Sequence, residues 1–85
     1  MVMIMYAIRD IAANKFFAPQ MEYNDATAIR WFGELINNGT GPLNYQPKDF
    51  DLFEVGKFDT QKGEVQMTCP CRLVASGLDV FANEK

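Results

Sequence analysis

The side chains that could do chemistry in this chain are few, and their spacing argues against catalysis. The sequence contains no histidine, which excludes histidine-based triads, histidine acid–base chemistry and histidine-ligated metals. Cys69 and Cys71 are separated only by Pro70, so they rarely reach disulfide geometry and supply two of the four ligands of a structural zinc. We therefore expect reduced thiols, no metal and no cofactor; a metal shared between two subunits is the alternative.

The acidic and glycine-rich segments carry no recognisable catalytic or ion-binding motif. Gly39-Thr40-Gly41 lacks the lysine and the length of a phosphate-binding loop. Four carboxylates gather in the second half of the chain, but without the oxygen-rich spacing of a calcium loop: Asp49, Asp51, Asp59 and Glu64. Turn chemistry explains Asp59, and solvated positions explain the others. The sequence predicts a protein that is not an enzyme.

The length and charge of the chain limit the remaining classes of protein to which it could belong. A chain of 85 residues predicts one domain, spanning residues 1–85, with a single modest core. The net charge is −3 and the eight basic residues are scattered singly, which argues against a general nucleic-acid surface but allows a local patch. The apolar run at residues 1–8 is too short to span a bilayer and has no basic flank, so we interpret it as a buried strand in a cytoplasmic protein, with a signal segment as the alternative.

One segment, Asn24–Asn38, has helical periodicity for three turns. Its apolar residues form one stripe that needs a sheet to cover: Ala28, Ile29, Phe32, Leu35 and Ile36. Asn24 is suited to cap the first turn, and Asn38-Gly39 is suited to a left-handed C-terminus. Trp31 lies at the edge of the stripe, either as a partly covered core aromatic or as an exposed anchor.

Two hairpins are predicted to flank this helix. Met3–Arg9 and Lys15–Glu22 form the first, with Pro19 marking an edge position or an irregularity. Residues 49–58 and 64–68 form the second, and each turn begins with Asp and ends four residues later with Asn14 or Gly63. The predicted fold is α+β, of the ββαββ type: a four-stranded antiparallel sheet with the helix on one face and a short irregular or helical C-terminal segment.

The second hairpin carries more apolar residues than one face can bury. Alternation places Phe53, Val55, Val65 and Met67 on one face and Phe50, Leu52 and Phe58 on the other. A bulge at Gly56 would move Phe58 to the face of Phe53. Phe50 and Leu52 would then pack against the crossing loop, the C-terminal segment or a second subunit. We therefore expect a homodimer, since a bare sheet face in a small domain is usually covered by a partner.

Two segments remain ambiguous by pattern. Residues 39–48 contain two Gly and two Pro and predict an irregular crossing, in which Leu43 and Tyr45 either cover the core or contact a partner. After Pro70, Leu73-Val74 favours a short strand, whereas Val74, Leu78 and Phe81 have helical spacing.

The order of several motifs resembles the small nonstructural protein of gokushoviruses, the single-stranded DNA phages of the Microviridae. The resemblance covers residues 4–81 and is carried by Tyr6-x-Ile8-x-Asp10, Phe17-x-Pro19, Asn24-Asp25, the segment from Pro47 to Asp59, and Arg72-Leu73-Val74-Ala75-Ser76. It implies a nonstructural protein of the host cytoplasm that assists single-stranded DNA synthesis or binds single-stranded DNA. Cys69-Pro70-Cys71 is not part of the shared pattern.

Two functions follow as expectations. The first is an accessory protein that contacts single-stranded DNA with aromatic and basic residues, for which the candidates are Tyr6, Arg9, Lys15, Phe17, Tyr45, Lys57 and Arg72. The alternative is a dimeric protein–protein interaction module acting on a host or phage replication factor, with Trp31, Phe50 and Leu52 as anchors. The acidic composition favours the alternative, and the resemblance favours the first.

Overall fold

A computed structural model of the chain describes residues 1–39 and 41–81, so Thr40 of the Gly39-Thr40-Gly41 motif lies outside the described residues. The strands are β1 (Val2–Asp10), β2 (Lys15–Phe16), β3 (Gln20–Glu22), β4 (Phe50–Asp59) and β5 (Glu64–Ser76). The helices are α1 (Asp25–Asn38), α2 (Pro42–Tyr45) and α3 (Gly77–Phe81), and a 3-10 turn spans Pro47–Asp49. None of the helices in these residues has the length and apolar content needed to cross a membrane.

The strands form one antiparallel sheet in the order β2-β1-β4-β5, with β3 also paired to β1. β2 pairs with the end of β1 near Arg9, and β3 pairs with Ile4–Tyr6. The gap between β2 and β3 contains Pro19, which cannot donate to a ladder. The predicted ββαββ fold is confirmed, with the second predicted strand divided in two at the proline.

Both hairpin turns use the predicted chemistry. In the first, the Asp10 carboxylate accepts from the Ala13 amide at 3.1 Å, and Asn14 adopts a positive φ of 57°. In the second, Asp59 accepts from the amides of Gln61 and Lys62 at 2.9 and 3.2 Å, and Gly63 has a φ of 69°. Each turn therefore joins an aspartate that satisfies free amides to a residue that tolerates the left-handed region.

Helix α1 begins and packs as its sequence predicts. The Asn24 side chain accepts from the Thr27 amide at 2.9 Å and caps the first turn. Ala28, Phe32 and Ile36 are buried against the sheet, where the other buried core residues are Tyr6, Ile8, Phe50, Leu52 and Val80. The predicted left-handed C-terminus is wrong, because Gly39 is extended at φ −75° and donates its amide to the Leu35 carbonyl.

A bulge in β4 decides which side chains face the helix. Tyr6 pairs with Glu54 while Met5 pairs with Gly56, so β4 has one extra residue, Val55. Before the bulge, Phe50, Leu52 and Glu54 lie on the helix side of the sheet; after it, the alternation is reversed. The prediction that Gly56 marks a bulge, and that Phe58 thereby joins the face of Phe53, is confirmed.

The same register corrects the assignment of Phe50 and Leu52. These residues are not left over for a crossing segment or a second subunit, since they are 2% and 0% exposed in the core beneath α1. The physical reason is that the helix covers the face of Phe50 and Leu52, which leaves the face of Phe53 and Phe58 uncovered.

The two segments that are ambiguous in sequence, the crossing at residues 39–48 and the segment after Pro70, both contain regular structure. β5 continues as a strand to Ser76 and is followed at once by α3, which contributes Val80 to the core. The crossing segment is less irregular than predicted, because it contains α2 and the 3-10 turn. Within it Leu43 packs against the core, and the Asn44 amide donates to the Ile36 carbonyl at the end of α1 at 3.1 Å.

Candidate functional site

The most concentrated group of charges is a network around Glu54, here called the Glu54 cluster. It consists of Tyr6, Asp25, Glu54, Lys57, Thr68 and Arg72. Glu54 is only 4% exposed and accepts from Thr68 Oγ1 at 2.7 Å, Arg72 Nη2 at 2.8 Å and Lys57 Nζ at 3.0 Å. A buried carboxylate costs free energy unless it is paired, and these three donors supply the pairing.

Arg72 joins this carboxylate to the start of α1. Its Nη2 atom also donates to Asp25 Oδ1 at 2.8 Å, and the same oxygen accepts from the Tyr6 hydroxyl at 2.6 Å. The Asp25 carboxylate lies in the first turn of α1, where the positive end of the helix dipole also favours a negative charge. The Glu54 cluster therefore ties β1, β4 and β5 to the start of the helix.

The hydrogen bonds set the pKa values of these groups. Donation from Thr68, followed by Arg72 and Lys57, lowers the pKa of Glu54 to about 2 against the opposing effect of burial. Hydrogen bonds from Arg72 and Tyr6 lower the pKa of Asp25. Burial and the hydrogen bond to Asp25 raise the pKa of Tyr6, while the two carboxylates raise the pKa of Arg72. Asp25 and Glu54 are therefore ionised at neutral pH, and Tyr6 is a neutral donor.

Three of the predicted nucleic-acid contacts belong to this cluster. Tyr6 is 0% exposed, so it cannot stack on a base, which corrects its assignment. Lys57 and Arg72 form salt bridges with carboxylates of the cluster, and their side chains are 45% and 48% exposed. Sequence reasoning missed Glu54. A signal existed, because Glu54 lies on the same face of the strand as Phe50 and Leu52, and a charged side chain among apolar ones needs hydrogen-bond or ion-pair partners.

A second group lies where β1 turns into β2. Arg9, Lys15 and Phe17, here called the β1–β2 corner, lie close to this turn, with Arg9 on the face of the sheet away from α1 and Lys15 and Phe17 on the helix side. Arg9 donates to the neutral Asn14 amide oxygen at 2.8 Å, and Phe17 is 38% exposed while stacked on Phe50 at 6.3 Å between ring centroids. Lys15 is exposed and forms no salt bridge with the described residues. This corner combines positive charge with an accessible aromatic ring.

The remaining predicted contacts lie apart from this corner. Tyr45 is 76% exposed on α2, which packs against α1. Trp31 is partly buried against the core at the edge of the helix stripe, which fits the interpretation as a partly covered core aromatic. The seven predicted nucleic-acid residues thus divide among the corner, the Glu54 cluster and α2, and they do not form one continuous surface.

The side of the sheet opposite α1, here called the open face, is the largest feature that sequence reasoning placed incorrectly. The strand registers place these apolar residues on it: Met3, Met5, Ala7, Phe16, Met21, Phe53, Phe58, Val65, Met67 and Leu73. Phe16 and Phe53 meet edge to face at 5.8 Å and partly cover the sheet at one end. At the other end Val65 and Met67 are 60% and 75% exposed. The open face is therefore an apolar surface without a cover from the described residues.

The thiols and carboxylates do not converge. Cys69 and Cys71 are both free and exposed on β5. Within residues 1–39 and 41–81, no three Cys, Asp or Glu side chains are close enough together to hold a metal ion.

Comparison with known proteins identifies the family of this chain. No curated protein and no solved structure matches it significantly. The model of the family described as "Phage ORF5 protein" matches residues 3–80, which covers β1 through most of α3 and includes the Glu54 cluster, the corner and the open face. The chain therefore belongs to the Phage ORF5 protein family.

Proposed function

We propose that this phage protein is a non-enzymatic accessory protein of the gokushovirus type, which assists single-stranded DNA synthesis in the host cytoplasm. It contacts single-stranded DNA weakly through the β1–β2 corner. The observation that carries the proposal is the accessible ring of Phe17, which lies on the same side of the sheet as Lys15, while Arg9 lies on the opposite side at the same end of the hairpin. Single strands are bound by cations that follow the backbone and by aromatic rings that stack on bases. The family supports a phage accessory protein, and the resemblance to gokushovirus nonstructural proteins is the ground for proposing a DNA-related role.

The charge distribution sets the strength of this contact. Two of the four basic candidates are paired with carboxylates in the Glu54 cluster, which leaves Arg9 and Lys15 to neutralise phosphates. Each neutralised phosphate of a single strand contributes a slope of about −0.7 to log K against log salt, so we expect about −1.4 in place of about −2.8 for four cations. Binding is therefore weak, and its salt dependence is shallow.

The experiment is a titration of labelled single-stranded oligonucleotide at several salt concentrations. Lys15→Ala should lower the affinity and reduce the slope to about −0.7, because one phosphate contact is lost. Lys62→Ala is the matched control: Lys62 is an exposed lysine in the β4–β5 turn, and the register places this turn at the other end of β1. The control should change neither the affinity nor the slope beyond a small net-charge effect.

Three outcomes contradict the proposal. Absence of binding at low salt excludes direct contact by the isolated protein. Equal losses in Lys15→Ala and Lys62→Ala place the contact outside the corner. A slope near −2.8 means that Lys57 and Arg72 leave their carboxylates to bind DNA.

A dimeric protein–protein interaction module acting on a replication factor is the second candidate function. The apolar open face and the sequence pI of about 4.7 favour it, because a protein partner does not require a cationic surface. Loss of phage single-stranded DNA synthesis with Met67→Lys, while Lys15→Ala supports normal synthesis, favours this candidate. The reverse result favours direct DNA contact.

A further inference from the structure

We infer that the open face is an interface between two copies of this chain. Alternation along β1 and β4 places large apolar side chains on both faces of the sheet, and α1 covers only one of them. A partner that covers the other face must be apolar over an extended, flat surface. The open face of a second copy has this character, and a two-fold axis brings the two equivalent surfaces together.

The five most exposed apolar side chains of the open face supply about half to two thirds of the area that one partner buries in a standard interface. Five open-face side chains are 40–75% exposed, namely Phe16, Met21, Val65, Met67 and Leu73. With about 150–200 Å² for a large apolar side chain, these five expose roughly 400–550 Å². Met3, Met5, Phe53 and Phe58 are partly exposed and enlarge the surface. A standard interface buries about 800 Å² per partner, so the open face approaches that size.

The sheet edges are poor alternatives for pairing. One outer edge is formed by β2 and β3, and the Phe17-Ala18-Pro19 segment separates these two strands. The other is β5, in which the register jumps from Met67 to Arg72 across Cys69-Pro70-Cys71. A proline at an edge removes a donor and prevents extension of the ladder by another strand. Pairing between copies is therefore expected across the face.

The chemistry of the open face also suits a copy of itself better than a charged ligand. Among the positions that the registers place there, two are charged, and Arg9 and Asp51 lie directly opposite each other at one end. Burial raises the pKa of Asp51, and the neighbouring Arg9 opposes this rise. The rest of the surface offers neither sign of charge to nucleic acid or to an acidic peptide. Interfaces of homodimers are more apolar than other protein interfaces.

Sedimentation equilibrium of the full chain, from low to high micromolar concentration, tests the inference. The unmodified protein should reach twice the chain mass of 9.6 kDa at high concentration. Met67→Lys and Val65→Lys alter side chains that are 75% and 60% exposed, so both variants should fold, with unchanged circular dichroism, and remain monomeric. Tyr45→Lys is the matched control, because Tyr45 is 76% exposed on the helix side, and this variant should still dimerise.

Two results overturn the inference. An unmodified protein that remains monomeric at high micromolar concentration excludes a second copy and leaves the open face to another molecule. Folded Met67→Lys and Val65→Lys proteins that dimerise as the unmodified protein does place the interface elsewhere. Lys15 lies opposite Asp10 on the helix side of the sheet, outside the open face, so the Lys15→Ala test of DNA contact and the sedimentation test of the dimer fail or survive separately.

Discussion

The two faces of the sheet carry similar apolar side chains and differ in what covers them. On the helix side, Leu52 and Phe50 are 0% and 2% exposed beneath α1, and Glu54, the one buried charge among the described residues, has three donors. On the open face, Met67 and Val65 are 75% and 60% exposed, although they belong to the same hairpin. Apolar content alone therefore does not identify the core; the position of the helix and the strand register do.

The bulge at Gly56 produces part of this difference. Without it, strict alternation would place Phe58 on the helix side with Phe50 and Leu52. With it, Phe58 lies on the open face, and Lys57 instead reaches the helix side, where it pairs with Glu54. One extra residue thus enlarges the open face and completes the Glu54 cluster.

Truncation of an apolar side chain to alanine should lower the free energy of unfolding far more on the helix side than on the open face. Leu52→Ala should lower the free energy of unfolding by about 2–5 kcal/mol, because it leaves a cavity in the core. Met67→Ala should change it by less than about 0.5 kcal/mol, since the side chain is largely exposed. Urea denaturation at low micromolar concentration, where association is weak, measures both values. Equal losses for the two variants would show that the faces are wrongly distinguished.

The Glu54 carboxylate should make the free energy of unfolding depend on pH in the acidic range. Its folded pKa of about 2 lies below the ordinary value of 4.5, so its contribution is complete above about pH 4.5 and is lost as pH falls toward 2. The shift corresponds to roughly 3 kcal/mol. The difference in unfolding free energy between the unmodified protein and Glu54→Gln should therefore shrink between pH 6 and pH 2.5.

Glu64→Gln is the control for this titration, because Glu64 is exposed at the start of β5. The difference in unfolding free energy between Glu64→Gln and the unmodified protein should be small throughout the same pH range. A difference for Glu54→Gln that stays constant with pH would mean that the carboxylate is not ionised and paired as described.

Gly56→Ala should have a smaller effect that is specific to the bulge. A Cβ atom at residue 56 would lie 2.8 Å from the Gln66 carbonyl oxygen, so β4 and β5 would have to move apart locally. We expect a loss of about 1–3 kcal/mol in unfolding free energy, as for other overpacked sites.

Gly33→Ala is the matched control for this prediction. Its Cβ would meet Val80 at 3.7 Å, an ordinary contact, and alanine is favoured over glycine in a helix by about 0.5–1 kcal/mol. Gly33→Ala should therefore be neutral or stabilising. If Gly56→Ala behaves in the same way, the close approach at the bulge does not constrain the hairpin.

Local patterns predicted most of the fold. The helix stripe from Ala28 to Ile36, the Asn24 cap and the two Asp-led turns depend on neighbours in sequence, so each could be recognised from the chain alone. The bulge could also be anticipated, because Gly56 interrupts the alternation. The face covered by α1 could not, since this depends on how the hairpins meet the helix in space.

The candidate site was less accessible to sequence reasoning for the same reason. Arg72 reaches Glu54 and Asp25, which lie 18 and 47 residues away along the chain. Isolated basic residues in the sequence give no sign of these partners, so the pairing of Lys57 and Arg72 with carboxylates could not be predicted. In contrast, Arg9, Lys15 and Phe17 are neighbours across one turn, and their proximity follows directly from the hairpin.

The most direct measurement of the contrast between the faces is the exposure of the methionine methyl groups in solution. Met3, Met5, Met21 and Met67 lie on the open face, and a soluble paramagnetic agent broadens the NMR signals of exposed methyl groups. If two open faces pack together, the Met67 and Met21 methyl signals should be protected at high micromolar concentration and broadened after dilution. Broadening of both signals to the same extent at every concentration would contradict the account, because the open face would then remain in contact with water.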